Sequence, residues 1–150
     1  MTPAAARTGT ALLVLLAAAC GPRGTPDAQV RAVIARGEAA AEARDLSALV
    51  DLVSPTFQDG RGGNRSELKQ YLRGYFVTHQ SIRLLIRVDS VEFPYKDMAK
   101  VSLTLGTVGR ETADASAFDL AADVHDVELE FQLEDGEWRV TRAGWQSASR

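Results

Sequence analysis

The sequence predicts an α+β fold in which N-terminal helices cover one face of a curved antiparallel sheet. Two observations carry this prediction. Apolar residues recur every three or four positions between residues 26 and 76, as they do in amphipathic helices. From residue 81 onwards they alternate with polar residues, as they do in half-buried strands. Helices and strands that each have one apolar side must bury those sides against each other, so we expect a single shared core.

Two helices are expected before residue 55. Thr25 followed by Pro26 suits the N-cap and first position of a helix. Asp45 suits the N-cap of a second, shorter helix, which Ser54-Pro55 should end because the residue before a proline avoids helical backbone.

A third helix follows a predicted edge strand and glycine-rich loop, "TFQDGRGGNR", residues 56–65. Asn64 and Glu67 have the spacing of a capping box, which indicates where this helix begins. Its apolar face is expected to consist of Leu68, Tyr71, Leu72, Tyr75 and Phe76.

The strand region predicts an antiparallel meander. A strand from residue 81 turns at 94–97, a second strand precedes a polar loop at 109–122, and a final hairpin turns at Asp135-Gly136, which favours a type I′ turn. With this two-residue turn, Leu133 pairs with Trp138. Arg142 then falls on the inner face opposite Leu129, unless a bulge intervenes.

The segment "ALLVLLAAAC", residues 11–20, predicts an export signal and an anchor. It is too short to span a bilayer as a helix, and it follows a weakly basic start with Arg7, as in a secretory signal peptide. The small residues before Cys20 resemble the lipobox of bacterial lipoproteins, in which signal cleavage precedes a cysteine that carries a diacylglycerol. An ordinary signal peptide, or an apolar helix with an incidental thiol, is the alternative.

The lipobox resemblance implies a division of the chain and a location. Residues 1–19 would be the signal peptide, residues 20–25 the lipidated cysteine and a short tether, and residues 26–147 the folded domain. Several acyl chains, palmitate among them, make membrane attachment durable. Gly21 in place of Asp favours the outer membrane, with the domain facing the periplasm.

Composition argues against several classes of function. A formal charge of −3 offers no basic footprint for nucleic acid. Two histidines and one cysteine show no metal-ligand spacing. "GRGGNR" lacks the ending of a phosphate-binding loop. We therefore expect no metal and no cofactor.

The order of these elements resembles the nuclear transport factor 2-like superfamily of cystatin-like α+β cones. The quoted features are the Arg44-Asp45 break, the "FQDG" loop, the capped third helix and the terminal "DGEWRV", and the resemblance covers residues 25 to 147. It implies a cone-shaped domain in which the sheet wraps the helices and leaves an internal pocket. Such folds host unrelated activities, so function depends on the site.

The ketosteroid isomerase-like enzymes of this superfamily have three catalytic residues with which this sequence can be compared. They need a carboxylate base, a tyrosine and a protonated acid, the last two holding an enolate oxygen. Asp59 falls at the position of the base. Gly37 stands where the tyrosine is expected. The acid's place falls near Glu128, which is predicted to face solvent. One match in three does not make this active site.

Other polar residues of the predicted pocket are candidates to replace the missing oxyanion donors. Asp59, His125 and Arg142 could converge as a polar cluster, with Tyr75 as a further donor. Tyr71 and Trp138 complete the predicted ligand pocket. Simpler interpretations stand beside these roles: Asp59 as a turn residue, His125 as an edge histidine, Arg142 at the rim or in an ion pair, and Tyr71, Tyr75, Trp138 and Trp145 as core aromatics.

Two functions follow from these candidates. The favoured one is a non-enzymatic envelope lipoprotein that binds a small apolar or amphiphilic molecule, or an envelope protein. The alternative is a small isomerase, cyclase or hydrolase that uses Asp59 as its general base, with His125 or Tyr75 as donor. The outer face of the sheet is either a polar homodimer interface or a solvated surface. The solvated surface is favoured by the charged side chains on this face, Arg83, Arg87, Glu128 and Glu130.

Overall fold

The computed structural model describes residues 24–111 and 122–147. These residues form three helices and a five-stranded sheet with the strand order β1-β5-β4-β3-β2. The first strand lies between the second and third helices in the chain, and the other four strands follow the helices. The elements are α1 (Pro26–Glu42), α2 (Leu46–Asp51), β1 (Val53–Asp59), α3 (Arg65–Thr78), β2 (His79–Tyr95), β3 (Met98–Glu111), β4 (Ala122–Glu134) and β5 (Glu137–Ser147). The predicted α+β class, with helices first and a curved sheet after them, is confirmed.

Local capping chemistry sets where all three helices begin. The Thr25 hydroxyl accepts a hydrogen bond from the Ala28 amide at 3.2 Å, and the Asp45 carboxylate accepts one from the Ala48 amide at 2.9 Å. Asn64 and Glu67 form the reciprocal capping box at the start of α3. These side chains satisfy amides that have no partner within the first turn of a helix.

The prediction that Ser54-Pro55 ends the second helix is wrong. The helix ends at Asp51, and both residues lie within β1. An edge strand tolerates proline because one side of its backbone needs no ladder partner.

The sheet is mixed rather than wholly antiparallel, which corrects the prediction for one strand. β2 to β5 form the predicted antiparallel meander, whereas β1 pairs with β5 in parallel. Hairpin turns fix the relative direction of the strands that they join. No hairpin joins β1 to β5, so the alternation of apolar residues carries no information about this pairing.

The core lies between α1 and the inner face of the sheet. Val30 and Val33 of α1 pack with the buried strand residues Ala99, Val101, Leu103, Val127, Phe131 and Trp138. The Trp138 indole donates a hydrogen bond to the side-chain oxygen of Gln29 at 3.0 Å. This bond ties the last hairpin to the first helix and satisfies the polar atom of a residue that is only 4% exposed.

Register shifts interrupt several of the strand pairings, and two of them bear on the predicted faces. One lies in β2 between Val88 and Ser90. The other lies between Glu130 and Phe131, so that Arg142 pairs with Glu130 and not with Leu129. The predicted pairing of Leu133 with Trp138 is confirmed. The inner-face position predicted for Arg142 is wrong, because the extra residue of a bulge reverses the alternation beyond it.

Several predictions fall on residues outside the described part of the chain. The signal peptide at 1–19, Cys20 and most of the tether at 20–25 are among them, and so are residues 112–121 of the predicted loop. The ends of that loop, at 109–111 and 122, belong to β3 and β4. Among the helices of the described residues, none is long and apolar enough to cross a membrane.

Candidate aromatic groove

Asp59, the last residue of β1, is the centre of a tight loop. Its Oδ1 atom accepts hydrogen bonds from the amides of Arg61 at 2.8 Å and Gly63 at 2.7 Å. Backbone bonds also join the Asp59 amide to the Gly63 carbonyl and the Gly62 amide to the Asp59 carbonyl. Gly62 adopts a φ of +87°, which favours glycine. Asp59 therefore acts as the turn residue of its own loop.

A groove of about 580 Å³ opens between this loop, α3 and β5. The residues that line it are Asp59, Arg61, Gly62, Gly63, Glu67, Leu68, Tyr71 and Trp145. Two of them are large aromatic side chains with much of their surface in solvent: Tyr71 is 64% exposed and Trp145 is 43% exposed. An exposed aromatic pair in a concave site is a feature of a binding surface.

Stacked rings continue from the groove along α3. The Tyr71 and Tyr75 ring centroids are 6.3 Å apart, and those of Tyr75 and His79 are 3.9 Å apart with nearly parallel planes. Tyr71 and Tyr75 are four positions apart, so their side chains lie above one another on one face of α3. His79 follows at the C-cap of the helix, where β2 begins. Tyr75 is half-buried and Tyr71 is not, so the predicted burial of this whole face is wrong at Tyr71.

Two arginines hold α3 in place. The Arg65 guanidinium donates to the Val50 carbonyl at 2.8 Å and to the Val53 carbonyl at 3.1 Å. Arg44 donates to the Phe76 and Gln80 carbonyls, at the other end of the helix. Arg65 thus ties the start of α3 to the end of α2 and the start of β1, and Arg44 ties the end of α3 to the residues that follow α1.

The groove contains more negative than positive charge. Asp59 and Glu67 contribute carboxylates and Arg61 contributes one guanidinium. Glu67 accepts a hydrogen bond from the Asn64 amide at 2.8 Å. Across residues 24–111 and 122–147, the ion pairs involve neither Asp59 nor Glu67. Their hydrogen-bond donors are neutral amides, so within the described residues neither carboxylate has a cationic partner.

His125 lies far from Asp59. It sits on the inner face of β4 and pairs with Leu105 and Ser147, while Asp59 pairs with Ala143 on β5. Along β5, the partners of Asp59 and His125 are four residues apart, which corresponds to about 13 Å. Across the sheet, β1 and β4 are two strand spacings apart, which corresponds to about 10 Å. The described residues include no hydrogen-bond partner for the buried Nδ1 atom of His125.

The other predicted pocket residues lie elsewhere. Arg142 is on the outer face, where its side chain is 61% exposed and lies 3.8 Å from Glu130. Trp138 belongs to the core and also borders a second, smaller groove of about 330 Å³. The structure therefore does not bring Asp59, His125 and Arg142 together. Glu128 is exposed, as predicted, and accepts a hydrogen bond from Ser102.

Trp145 is the groove residue that the sequence prediction assigned to the core. A signal for it exists in the sequence of β5. The apolar residues Trp138 and Val140 occupy even positions, whereas Trp145 occupies an odd one, and such a change of parity indicates a bulge. In the part of the chain that the structure covers, no three His, Cys, Asp or Glu residues are grouped as metal ligands.

Comparison with known proteins identifies the fold by structure alone. No protein-family model matches the sequence, and a search of curated proteins finds no relative. A proposed dehydratase of the nuclear transport factor 2-like family from Streptomyces avermitilis superposes with a TM-score of 0.71, at 16% identity over 83% of this chain and 97% of that one. The chain has the nuclear transport factor 2-like fold.

Two further structures agree with this assignment. A ketosteroid isomerase-like protein from Erwinia carotovora has a TM-score of 0.66 at 14% identity, over 82% of this chain and 96% of its own. A protein of unknown function with a cystatin-like fold, from Nostoc punctiforme, has a TM-score of 0.64 at 18% identity, over 81% and 90%. At these identities the nuclear transport factor 2-like fold is shared and a common activity does not follow.

Proposed function

We propose that this chain is an envelope-anchored lipoprotein whose nuclear transport factor 2-like domain binds a small amphiphilic ligand in the groove beside the Asp59 loop. One observation carries the ligand-binding part: Tyr71 and Trp145, both large and substantially exposed, line the same groove. Covering apolar surface contributes roughly 25 cal/mol per Å². The lipobox resemblance of residues 17–20 supports the anchor.

The groove favours binding over catalysis because of how Asp59 is used. Its Oδ1 atom accepts two amides of its own loop, and His125 and Arg142 lie on other parts of the sheet. By the resemblance to ketosteroid isomerase-like enzymes, the two oxyanion donors would stand at Gly37 and near Glu128, and glycine has no side chain to donate. Losing one such donor commonly lowers a rate by a factor of about 10² to 10³.

Native mass spectrometry of the protein isolated from its own membranes tests the proposal. A retained small molecule, seen as a defined mass increment on the folded protein, is the expected result. A protein that carries no small molecule and co-purifies with a stoichiometric protein partner would replace this proposal with a docking function.

Quenching of tryptophan fluorescence by acrylamide locates the binding site. A bound ligand should protect Trp145, whereas the buried Trp138 should be quenched little with or without ligand. Tyr71→Ala should weaken ligand binding about tenfold. Tyr95→Ala is the matched control, since Tyr95 is equally exposed but lies at the end of β2 away from the groove. Equal weakening by both substitutions would argue against this groove.

The alternative function, with Asp59 as general base, is tested by Asp59→Asn. Asparagine keeps a side-chain oxygen for the two loop amides, so the loop should remain folded. Any turnover found for the natural protein should disappear in this variant if Asp59 acts as a base. Unchanged turnover would exclude that role.

A further inference from the structure

We infer that the ligand of the aromatic groove carries an organic cation, such as a substituted ammonium group attached to an apolar chain. This inference rests on the proposed function and specifies the chemistry of the ligand. It follows from the combination of two exposed aromatic rings with two carboxylates that lack a cationic partner in the described structure.

The carboxylates provide the first argument. Asp59 ends β1 and Glu67 lies in the first turn of α3, on either side of one short loop, and both line the groove. Amides of Arg61 and Gly63 orient Asp59, and the Asn64 amide orients Glu67. Each carboxylate is therefore held in position by neutral donors and not by a cation. Two fixed negative charges beside a concave surface raise the local concentration of cations.

The aromatic rings provide the second argument. Tyrosine and tryptophan present a negative ring face, which attracts ammonium and guanidinium groups, most strongly when the cation is poorly hydrated. Tyr71 is stacked on Tyr75, so its ring is supported from one side. Trp145 lies in β5 beside the loop. A ligand cation would then meet ring faces and carboxylates together, whereas Leu68 suits its apolar part.

Arg61 is the one positive group in the lining of the groove, and its side chain is exposed. An anionic ligand would have to pair with this single guanidinium and lie against both carboxylates. The charge pattern therefore disfavours an anion. It also predicts that removing the Arg61 charge strengthens the binding of a cation, which a purely structural role for Arg61 would not produce.

Three probes with the same six-carbon chain separate charge from apolar contact: hexyltrimethylammonium, 1-hexanol and hexanoate. The protein is the full chain carrying Cys20→Ser, which removes the thiol predicted to be acylated. Titration is followed by ¹H–¹⁵N NMR, with the Trp145 indole N–H and the Gly63 amide as reporters. The Trp138 indole N–H, bonded to Gln29 in the core, is the internal control.

We expect the ammonium probe to shift the Trp145 and Gly63 signals with a Kd about tenfold below that of hexanol, and hexanoate to bind most weakly. Asp59→Asn and Glu67→Gln keep an oxygen acceptor for the loop amides, and each should raise the Kd of the ammonium probe about threefold to tenfold. Arg61→Gln should lower it about twofold to threefold. Asp97→Asn, which removes an exposed carboxylate at the β2–β3 turn, should leave it unchanged.

The outcomes separate this inference from the function on which it rests. If hexanol binds as tightly as the ammonium probe and shifts the same signals, the inference of a cationic ligand is overturned and the proposed ligand-binding function stands. If no probe shifts the Trp145 signal, the inference is overturned as well, and the mass spectrum of the natural protein decides the proposed function independently.

Discussion

At the scale of single residues, the position of α3 depends on arginine side chains that bind backbone carbonyls. Arg65 is half-buried and donates to the carbonyls of Val50 and Val53. Removing a charged donor leaves both carbonyls without that partner, and hydrogen bonds of this kind contribute about 1.5–3 kcal/mol. Since α3 forms one wall of the groove, the effect is not confined to the site of the substitution.

Arg65→Ala should therefore lower the free energy of unfolding by about 2 kcal/mol. Arg73→Ala is the matched control, because Arg73 lies on the same helix but is exposed. Its effect should stay within about 0.5 kcal/mol. Urea denaturation followed by circular dichroism measures both changes. Similar values for the two variants would contradict the role given to Arg65.

Asp89 occupies the bulge of β2 and forms a closed set of side-chain hydrogen bonds. Arg87 donates to one carboxylate oxygen at 2.8 Å and Thr104 donates to the other at 3.0 Å. The hydrogen bond from Arg87, followed by that from Thr104, lowers the pKa of the Asp89 carboxyl. A depressed pKa in the folded protein adds stability above the unfolded-state pKa, and this contribution is lost as the pH falls through the folded-state pKa.

An NMR pH titration that observes the Asp89 carboxyl carbon should give a midpoint below 3.8, the unperturbed value. Arg87→Gln should move the midpoint upwards, and Thr104→Val should move it upwards by a smaller amount, in the order of the two causes. A midpoint that stays the same in both variants would show that these bonds do not hold the charged form.

At the scale of elements, the Asp59 loop joins β1 to α3 and forms one end of the groove. A Cβ atom added at Gly63 would lie 2.6 Å from the Asp59 Oδ2 atom and 3.0 Å from its Cγ atom. Such a contact forces the carboxylate or the loop to move. The Gly63 amide donates to the same carboxylate, so the orientation of Asp59 depends on the absence of a side chain at this position.

Gly63→Ala should weaken the binding of the ammonium probe about tenfold while the protein remains folded. Gly74→Ala, within α3, is the control, because nothing lies within 4 Å of its added Cβ. Alanine in a helix interior is favoured over glycine by about 0.5–1 kcal/mol. This variant should therefore raise the free energy of unfolding and keep the affinity. Unchanged affinity in Gly63→Ala would show that the loop does not shape the site.

The helix starts were predictable and the strand registers were only partly so. Thr25, Asp45 and Asn64 cap amides within three residues of themselves, so their chemistry is visible in a short window of sequence. The bulge that turns Arg142 outwards depends on how β4 and β5 pair over their whole length. The same bulge brings Trp145 to the inner face of the sheet, and its partial exposure in the groove, in place of burial in the core, was not predicted.

Fewer features of the candidate site than of the fold were predicted correctly. Asp59 was correctly associated with a loop, and its interpretation as a turn residue agrees with its hydrogen bonds. The predicted convergence was wrong for Arg142 because it assumed an unbroken alternation in β5. It was wrong for His125 because β1 pairs with β5, and Asp59 lies opposite Ala143, four residues before the partner of His125. Sequence alone does not specify which sheet neighbours an edge strand acquires, and β1 carries Asp59.

At the scale of the whole molecule, the predicted anchor and the folded domain are separated by only a few residues. α1 begins at Pro26, close to Cys20, so the lipobox resemblance predicts a domain held near the membrane surface. Acyl chains on Cys20 would contribute roughly 0.8 kcal/mol per buried CH₂. The groove would then face a compartment into which amphiphilic molecules partition.

Cys20→Ser should move the protein from the membrane fraction to the soluble fraction and abolish incorporation of labelled palmitate. Gly21→Asp is the control: it keeps the cysteine, so labelling should persist, while the protein should be retained in the inner membrane. Cell fractionation with immunoblotting measures both variants. Membrane association that survives Cys20→Ser would contradict a lipid anchor at this residue.

The parallel pairing of β1 with β5 has a consequence for the order of folding. β5 lies between β1 and β4 in the sheet, yet it follows them both along the chain. β1 therefore has no strand to pair with until β5 has been synthesised and has joined β4, and closing such a long loop is slow. A nascent chain that stops before residue 137 would therefore leave the backbone of β1 without its strand partner.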